Sequence, residues 1–497
     1  MIDELKNTMP IMIIGLTILS AILSQVFSNR PKFRDYLSVS ITIFAIFLVF
    51  PLLNGVLNKE VIEFTLIQVS PGLNICLSVD PAGMLFATLA LALWLPATIY
   101  SIGYMRGHHE SNQSRFYSAF ALSIGAAVGV AFSSNLITFV LFYELLSLFT
   151  YPLVIHRQTD EAIKAGRKYL AYTLTGGIAL VAGTAWIYSL GIEAKFEPGG
   201  FINPDEIGHS TSLFLFFLLF FGVSIKAAVM PLHSWLPNAM VAPTPVSALL
   251  HAVAVVKAGA FGVLRVLIFV FGATTLTDIG VAPIICVLAS ITLVAGSMLA
   301  LRHDNLKRRL AYSTISHLSY IVLGIALLGP LALTGALLHL VGHGVTKITL
   351  FFCAGAIDVR THKQNVSQIA GIGRQMPFTM TAFTLAALSM AGIPPFILFT
   401  SKWFLGSGAV QTGMYFYMFV YMFSGVISAA YLFPIIYRAF WVKSPDFPKF
   451  GEASATIVAP LIFTSILTLA WGLIPNSPFG FFSLIEIVVS IAFEARL

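Results

Sequence analysis

Long apolar runs separated by short polar turns dominate the sequence and restrict its fold more than any other feature. The first run, MPIMIIGLTILSAILSQVFS, extends from Met9 to Ser28. A helix needs roughly 20 apolar residues to cross a hydrocarbon core about 30 Å thick, so each run of this length predicts one membrane crossing. About fourteen such runs are present, near residues 9–28, 36–56, 81–104, 116–133, 135–155, 166–192, 212–231, 244–271, 279–301, 309–329, 331–356, 377–399, 413–437 and 455–475. The apolar tail 479–493 is shorter, and it predicts either an interfacial helix or part of a fifteenth crossing.

The composition supports a membrane protein. Of the 497 residues, 58% are hydrophobic and 10% are charged, whereas soluble domains carry about 25% charged residues. The mean hydropathy of +0.89 agrees with this difference. We therefore predict an all-α polytopic membrane protein with about 14 transmembrane helices.

Signatures of cofactor chemistry are missing from the sequence. The three cysteines, Cys76, Cys286 and Cys353, lie far apart and form no CxxC pair, which argues against an iron–sulfur or zinc site. No P-loop or GxGxxG turn interrupts the apolar runs, which argues against an ATP-driven pump built from this chain alone. We expect no cofactor, no metal site and no redox catalysis on the chain itself, while membership of a larger enzyme stays open.

Basic residues lie mainly on one side of the predicted spans. Most of the 28 lysines and arginines fall in the loops after spans 1, 3, 5, 9, 11 and 13, and these loops are predicted to be cytoplasmic because cytoplasmic loops are enriched in Lys and Arg. The opposite side receives Lys6, Lys59, Lys195, Arg265 and Arg496. An even number of spans then places both termini on the extracytoplasmic side of the cell inner (plasma) membrane. This topology accounts for the net charge of +7, so we expect no nucleic-acid partner.

Ionisable side chains within the predicted spans are the candidate site residues. On insertion scales, a charged residue at the centre of a span costs about 2.5–3.5 kcal/mol, so each one is a functional candidate by default. The predicted site consists of Glu144, Lys226, His251, Lys257, His339, His343, Lys347 and Lys402. Two further histidines, His233 and His317, have no assigned role. These residues could instead have structural roles. A lysine near a span end can extend its amine to the membrane interface, and Glu144 can form a salt bridge to a neighbouring helix.

The spacing of these residues indicates which of them share a helix face. His339, His343 and Lys347 follow one another at steps of four, which drift only about 40° per step and form one polar stripe. His251 and Lys257 are six residues apart, about 120° around a helix. They line one path only if that path winds around the helix or the helix is locally unwound.

Two predicted spans contain prolines next to a lysine. In KAAVMPLHSWLP, Lys226 precedes the break, and in AGIPPFILFTSKW, Lys402 follows it. Proline within a span frees backbone groups that only protein or water can satisfy, and a broken helix beside an ionisable group is a recurring way to build an ion site. These are spans 7 and 12, which are five spans apart, and this spacing predicts two inverted five-helix repeats. The predicted divisions are residues 1–110 (spans 1–3), 111–275 (spans 4–8), 276–440 (spans 9–13) and 441–497.

The residue types suit proton transfer. The charged and neutral forms of lysine differ by one proton, and histidine gains or loses a proton near neutral pH. A carboxylate near Lys226 favours the charged lysine, so withdrawal of that carboxylate would release the proton. We hypothesise that Glu144 modulates Lys226, and that Lys257, His251 and the stripe of His339, His343 and Lys347 relay protons laterally to Lys402.

Several motifs resemble a known family. They are DPAGMLF at Asp80, FYELLSLFTYPLV around Glu144, KAAVMPLHSWLPNAMVAPTPVSALLHAVAVVKAGAFGVLRV from Lys226, LRHDNLKRRLAYSTISHLSY, HLVGHGVTKITLFFCAG and AGIPPF followed by SKWF. Together they resemble the proton-conducting antiporter-like membrane subunits of respiratory complex I, membrane-bound hydrogenases and Mrp-type sodium/proton antiporters. The resemblance implies fourteen spans, an inverted repeat and two half-channels joined by a polar axis. It also implies that Glu144 is the span-5 glutamate, Lys226 the span-7 lysine, Lys257 or His251 the span-8 connecting group, and Lys402 the terminal span-12 residue.

Three functions remain open at this point. The first is a proton-translocating subunit of an Mrp-type antiporter, similar to the D-type subunits because Lys402 stands where some complex I relatives carry glutamate. The second is the corresponding subunit in the membrane arm of a complex I-type oxidoreductase or a hydrogenase, and the third is a structural membrane scaffold. The expected partners are other membrane subunits, the lipid bilayer and H⁺. Na⁺ is a weaker expectation for this chain, because the spans offer only one deep carboxylate to bind it.

Overall fold

A computed structural model describes residues 2–70, 73–447 and 449–493, with the side chains of residues 2–4 excepted. Arg496 therefore lies outside the described residues. Across these ranges the chain is mostly helical, and twelve helices are long and apolar enough to cross a membrane. The predicted class, a polytopic helical membrane protein, is confirmed.

Seven helices form the first part of the chain, with short connections except between α3 and α4. They are α1 (Ile2–Val26), α2 (Pro31–Phe47), α3 (Val49–Leu57), α4 (Pro81–Gly107), α5 (Gln113–Ala131), α6 (Leu136–Val154) and α7 (Asp160–Ser189). Side-chain oxygens cap three of the starts: Asp80 accepts from Gly83 N, Asn135 from Thr138 N and Thr159 from Ala162 N. Such caps satisfy amide groups that the helix leaves free. They fix where α4, α6 and α7 begin.

A β-hairpin between α3 and α4 is the only sheet in the described ranges. Its strands, β1 (Glu63–Ser70) and β2 (Leu73–Ser78), pair antiparallel, with Glu63 opposite Ser78. The sequence analysis did not predict this hairpin, because its residues were assigned to a loop between two spans.

The middle of the chain is irregular. It contains α8 (Pro204–Ile207), α9 (His209–Lys226), α10 (Trp235–Asn238), α11 (Thr244–Ala252), α12 (Val255–Leu264), a π-helical stretch (Arg265–Phe271) and α13 (Gly272–Asp278). Helix α9 ends at Lys226, and residues 227–234 form turns before α10. The break predicted after Lys226 is therefore present. A second interruption, between Ala252 and Val255, separates His251 from Lys257 and gives the local unwinding that the sequence left open.

The last part of the chain contains the second predicted break. Its helices are α14 (Ala282–Arg302), α15 (Leu306–Ala326), α16 (Pro330–Thr361), α17 (Pro377–Ala391), α18 (Ile397–Gln411), α19 (Tyr415–Phe440), α20 (Ala455–Leu473) and α21 (Phe481–Phe493). Residues 392–396 interrupt the helical segment before Lys402, as the prolines predicted. The tail predicted over residues 479–493 forms the short apolar helix α21.

Helix α16 lies at the centre of the molecule. Its apolar window is wholly buried, and it packs against α11, α15, α17, α18 and α20. His339, His343 and Lys347 all lie on this helix and are fully buried. The most polar stripe of the sequence is thus surrounded by protein rather than lipid.

Candidate functional site

Lys226 and Glu144 meet at the first break. Lys226 is the last residue of α9, and its Nζ lies 3.9 Å from Glu144 Oε1 on α6. The amine also donates to the backbone carbonyl of Tyr143 and lies 3.4 Å from the centre of that residue's ring. Lys226 is 1% exposed, whereas the Glu144 side chain is 22% exposed. The carboxylate therefore has access to the surroundings that the amine lacks.

Two glycines make room for this pair. A Cβ at Gly177 on α7 would lie 2.6 Å from both carboxylate oxygens of Glu144. A Cβ at Gly259 on α12 would collide with the backbone of Lys226 and Ala227. Helix α12, which carries Lys257, is thus in direct contact with the end of α9.

The tryptophan after the break satisfies one of the freed carbonyl groups. Trp235 Nε1 donates to Ile225 O at 2.8 Å, and the indole is fully buried. Within the break, the amide of Met230 donates to Thr292 Oγ1 at 3.0 Å. Since the broken backbone is held by protein groups in this way, the position of Lys226 is fixed by the fold.

Lys257 contacts the polar stripe of α16. Its Nζ lies 2.9 Å from His343 Nδ1, and both residues are fully buried. The break between α11 and α12 lies against the same helix, because a Cβ at Gly344 would stand 3.1 Å from Ala252 O. The interruption therefore brings α12 and the middle of α16 together at one depth.

His317 on α15 lies at the centre of the cluster. Its ring stacks near those of His339 and His343, with centroids 5.3 and 5.5 Å away. His317 Nδ1 lies 3.1 Å from His339 Nε2, and His339 Nδ1 lies 2.9 Å from Ser401 Oγ. The sequence singled out His317 without a role, and the structure places it between two predicted site residues.

Hydroxyl groups connect Lys347 to this cluster. Its Nζ donates to Ser313 Oγ at 2.7 Å, and Ser313 Oγ lies 2.6 Å from the hydroxyl of Tyr431. Tyr431 in turn donates to Ser428 Oγ at 3.2 Å, and Ser428 Oγ lies 3.4 Å from His317 Nε2. We call this continuous set the lateral chain; in order, its members are Lys347, Ser313, Tyr431, Ser428, His317, His339 and Ser401.

Lys402 lies at the second break, beyond the end of the lateral chain. Its amine donates to the carbonyls of Met390 and Ala391, at 2.7 and 3.1 Å, which are left free where α17 ends. The ring of Tyr320 separates it from the histidines: the amine is 5.3 Å from that ring, which stacks 4.9 Å from His339. Lys402 also lines a cavity of about 750 Å³ between α18 and α19.

His251 is the one predicted site residue that stands apart from these contacts. It is fully buried and stacks on Phe351, with ring centroids 4.8 Å apart. Neither of its ring nitrogens has a hydrogen-bond partner among the described residues. The structure thus brings together Lys226 with Glu144, and Lys257 with His343, but leaves His251 outside both groups.

The hydroxyl groups of the site and an ion pair of buried Arg265 were not predicted from the sequence. Ser424, Ser428 and Tyr431 recur at helical spacing on α19, a polar stripe that could have indicated the missing face. Arg265, which the topology prediction counted on the extracytoplasmic side, is 1% exposed and pairs through two nitrogens with Asp80. The rings of Phe196, Phe261 and Phe269 surround its guanidinium at 4.7–4.9 Å.

The side chains of the site suit proton transfer. Within residues 2–70, 73–447 and 449–493, no group of three or more His, Cys, Asp or Glu side chains is placed to hold a metal ion. Hydroxyl and imidazole groups both donate and accept hydrogen bonds. A row of such groups, ended by amines, can pass a proton from one member to the next.

Fold and site together define a multi-pass membrane protein with ionisable side chains lined up through its interior. Residues 133–428 match the family described as NADH:quinone oxidoreductase/Mrp antiporter, TM. The chain belongs to this family, as the motifs predicted. The matched range includes all eight predicted site residues.

Similarity to individual proteins agrees with this family assignment. The chain is 33% identical over 380 residues to NADH-quinone oxidoreductase subunit N of Desulforudis audaxviator, covering 76% of this chain and 75% of the relative. It is 35% identical over 366 residues to the A-type subunit of a Na⁺/H⁺ antiporter of Alkalihalophilus pseudofirmus, covering 69% of this chain but only 44% of that longer relative. A chain of the Mrp complex from Dietzia sp. superposes with a TM-score of 0.84 over 99% of this chain and 97% of that chain. At 21% identity, this last likeness shows the fold alone.

Proposed function

We propose that the chain is the proton-translocating membrane subunit of a multisubunit cation/proton antiporter of the Mrp type, similar to the D-type subunits. The observation that carries the proposal is the lateral chain, in which six successive contacts of 2.6–3.4 Å join Lys347 to Ser401. Every member between the two ends both donates and accepts hydrogen bonds. Protons move along it from group to group through the membrane interior.

Two half-channels flank this axis in the proposal. Lys226 and Glu144 form one end, where withdrawal of the part-exposed carboxylate releases the lysine proton. Lys402 forms the other end, where its amine lines a cavity and holds the free carbonyls of α17. Lys257 and His343 lie between the two, in contact with each other.

The proposal includes fourteen crossings with an inverted repeat. Twelve helices qualify by length and composition, and the proposal adds the more polar α15 and the broken pair α17 and α18. The repeats are residues 111–275 and 276–440, with 1–110 and 441–497 as flanking segments. The equivalent breaks, at Lys226 and before Lys402, support this division. The protein lies in the plasma membrane with both termini outside, and its partners are other membrane subunits.

The choice of subunit type rests on this chain's own residues. The two relatives described above are named as an A-type and an N-type subunit, and Lys402 at the second break is what favours the D-like assignment. Sodium passes largely through other subunits, because Glu144 is the one carboxylate deep in the predicted spans.

A second candidate is the corresponding pump subunit in the membrane arm of a quinone-linked oxidoreductase. The match to an NADH-quinone oxidoreductase subunit over 75% of its length favours it. A purely structural scaffold, the third alternative, leaves four lysines within the predicted spans, three of them fully buried, without a purpose.

Sealed inverted vesicles that contain the assembled complex test these functions. With a pre-set pH gradient, adding Na⁺ or K⁺ should release internal protons if the chain belongs to an antiporter, whereas NADH or another donor should be required if it belongs to a redox complex. Lys226→Met and Lys347→Met should abolish either activity, and Lys164→Met, an exposed lysine, should not. Full transport by assembled complexes that lack the buried lysines would support the scaffold and reject the proposal.

A further inference from the structure

A polar cavity of about 490 Å³ lies at the face that carries the basic loops, where α1 ends and α2 and α5 begin. Its lining includes Gln25 and Ser28 at the end of α1, Arg34 on α2, and Ser114 and Arg115 on α5. Of the eight described residues that line it, none is acidic. Since small-molecule sites usually occupy about 300–1,000 Å³, the cavity is large enough for a polar ligand group.

Arg34 brings a buried positive charge to this cavity. It is 3% exposed, and its guanidinium donates to Gln113 Oε1 and Ser114 Oγ at 3.1 and 3.3 Å. It also pairs with Asp35 at 2.9 Å, but the same carboxylate pairs with Arg106 as well. One negative charge therefore faces two positive charges, and the wall of the cavity keeps an excess of positive charge.

Arg115 contributes a second guanidinium. It donates to the backbone carbonyl of His156 at 2.8 Å, while its buried Nε has no hydrogen-bond partner in the described part of the chain. Leaving a buried donor unpaired is costly, so this nitrogen calls for an acceptor. The N-cap residue Asn112 makes no side-chain cap for α5, so the first amides of that helix add further donors. The cavity is thus suited to an anion rich in acceptor oxygens.

The surroundings of the cavity are those of a membrane interface. The span formed by α2 and α3 (Pro31–Leu57) is the least buried of the twelve candidate spans, at 33%. Phe33 and Tyr36 are exposed in the first turns of α2, as aromatic residues commonly are where a span meets the membrane surface. Ile22 and Val26, one turn apart near the end of α1, are also exposed. An acyl chain can therefore lie against α1 and α2 beside the polar cavity.

We propose that this cavity binds the headgroup phosphate of an anionic phospholipid, held by Arg34 and Arg115, with the acyl chains against the exposed surfaces of α1 and α2. Arginine suits this ligand because its planar fork donates two parallel hydrogen bonds to phosphate oxygens. Basic pockets between membrane helices commonly bind anionic headgroups on the side that carries the basic loops. The site lies apart from the lateral chain, and the inference does not depend on the proposed function.

Photo-crosslinking in the assembled complex tests this site. The complex is reconstituted with phosphatidylglycerol that carries a diazirine near the start of one acyl chain, and the label should concentrate in residues 18–36. Arg115→Gln should reduce this label about fivefold, the factor expected when one basic residue near an anionic membrane surface is lost. Arg115→Lys should retain most of the label. Arg302→Gln, which removes an exposed arginine at the end of α14 on the same face, is the matched control and should leave the label unchanged.

Competition in the unmodified complex separates the ligands without any substitution. An excess of unlabelled phosphatidylglycerol should remove the label from residues 18–36, whereas zwitterionic phosphatidylcholine should not. Equal competition by phosphatidylcholine would mean that only the acyl chains are bound. Competition by inorganic phosphate, at matched ionic strength and as strong as that of phosphatidylglycerol, would mean that the site takes a free anion.

Three further results would overturn the proposal, as would either of these two. They are full labelling of Arg115→Gln, an absence of label from residues 18–36, and crosslinking of these residues to a neighbouring subunit in place of lipid. The last result would show that a protein partner occupies the cavity.

Discussion

The Nζ of Lys257 lies 2.9 Å from Nδ1 of His343, and neither residue has measurable contact with solvent. The contact joins α12, which packs on the end of α9, to the central helix α16. It places an amine and an imidazole, two groups that can exchange a proton, in direct contact. The His343 ring in turn stacks 5.5 Å from that of His317, a member of the lateral chain.

Lys257→Met should separate transport from stability. Methionine fills a similar volume without an amine, and an amine in a fully buried site is expensive, so the melting temperature of the purified complex should stay the same or rise. The initial rate of proton translocation should fall on the order of a hundredfold, because the link to His343 is lost. Lys164→Met, at an exposed position, is the control; parallel losses of stability and rate in Lys257→Met would indicate a structural lysine.

Gly177→Ala should impair transport without altering any ionisable group. The new Cβ would lie 2.6 Å from the Glu144 carboxylate oxygens and would force the carboxylate out of its position 3.9 Å from Lys226. We expect about a tenfold lower rate, similar to the effect of Glu144→Gln. Gly15→Ala on α1, where an added Cβ meets nothing within 4 Å, should have no effect. A normal rate for Gly177→Ala would show that the position of the carboxylate is unimportant.

The lateral chain should behave as one unit in double variants. Ser313→Ala and Tyr431→Phe each interrupt the connection from Lys347 to Ser428, and each should lower the rate about tenfold. Because both remove the same path, the double variant should be no slower than either single one. Ser465→Ala, which removes a hydroxyl that donates to Ile462 O of its own helix, serves as the control. Multiplying losses would mean that the two hydroxyls act independently.

Arg265→Met should destabilise the fold rather than slow transport. Arg265 is buried but the Asp80 side chain is 28% exposed, so losing the pair should cost about 1–3 kcal/mol, less than the loss typical of a fully buried pair. Adding Asp80→Asn should recover most of that loss, since asparagine still caps α4 and carries no charge. Chemical unfolding of the purified protein in detergent measures the free energy of unfolding of the single and the double variant. Lys195→Met breaks the exposed ion pair between Lys195 and Glu63 and should lower the free energy of unfolding by less than about 1 kcal/mol.

Both helix breaks could be predicted from the sequence, and the lateral chain could not. Single prolines such as Pro96 and Pro152 lie inside continuous helices, but the closely spaced prolines near Lys226 and Lys402 favour a break, so these two positions followed from local chemistry. Serine and threonine in membrane helices commonly bond to a carbonyl of their own helix, as Thr150 does with Leu146 O. Only the packed structure shows that Ser313 instead bonds across helices to Lys347 and Tyr431. The hairpin β1–β2 was also not predicted, because its structure depends on pairing between two separate strands.

The initial rate of proton translocation by the assembled complex carrying His317→Phe tests the central claim most directly. Phenylalanine keeps a flat ring between His339, His343 and Tyr320 but removes the two nitrogens that join Ser428 to His339. The account predicts a complex that assembles normally and translocates protons on the order of a hundredfold more slowly. An assembled variant that translocates protons at the full rate would contradict it.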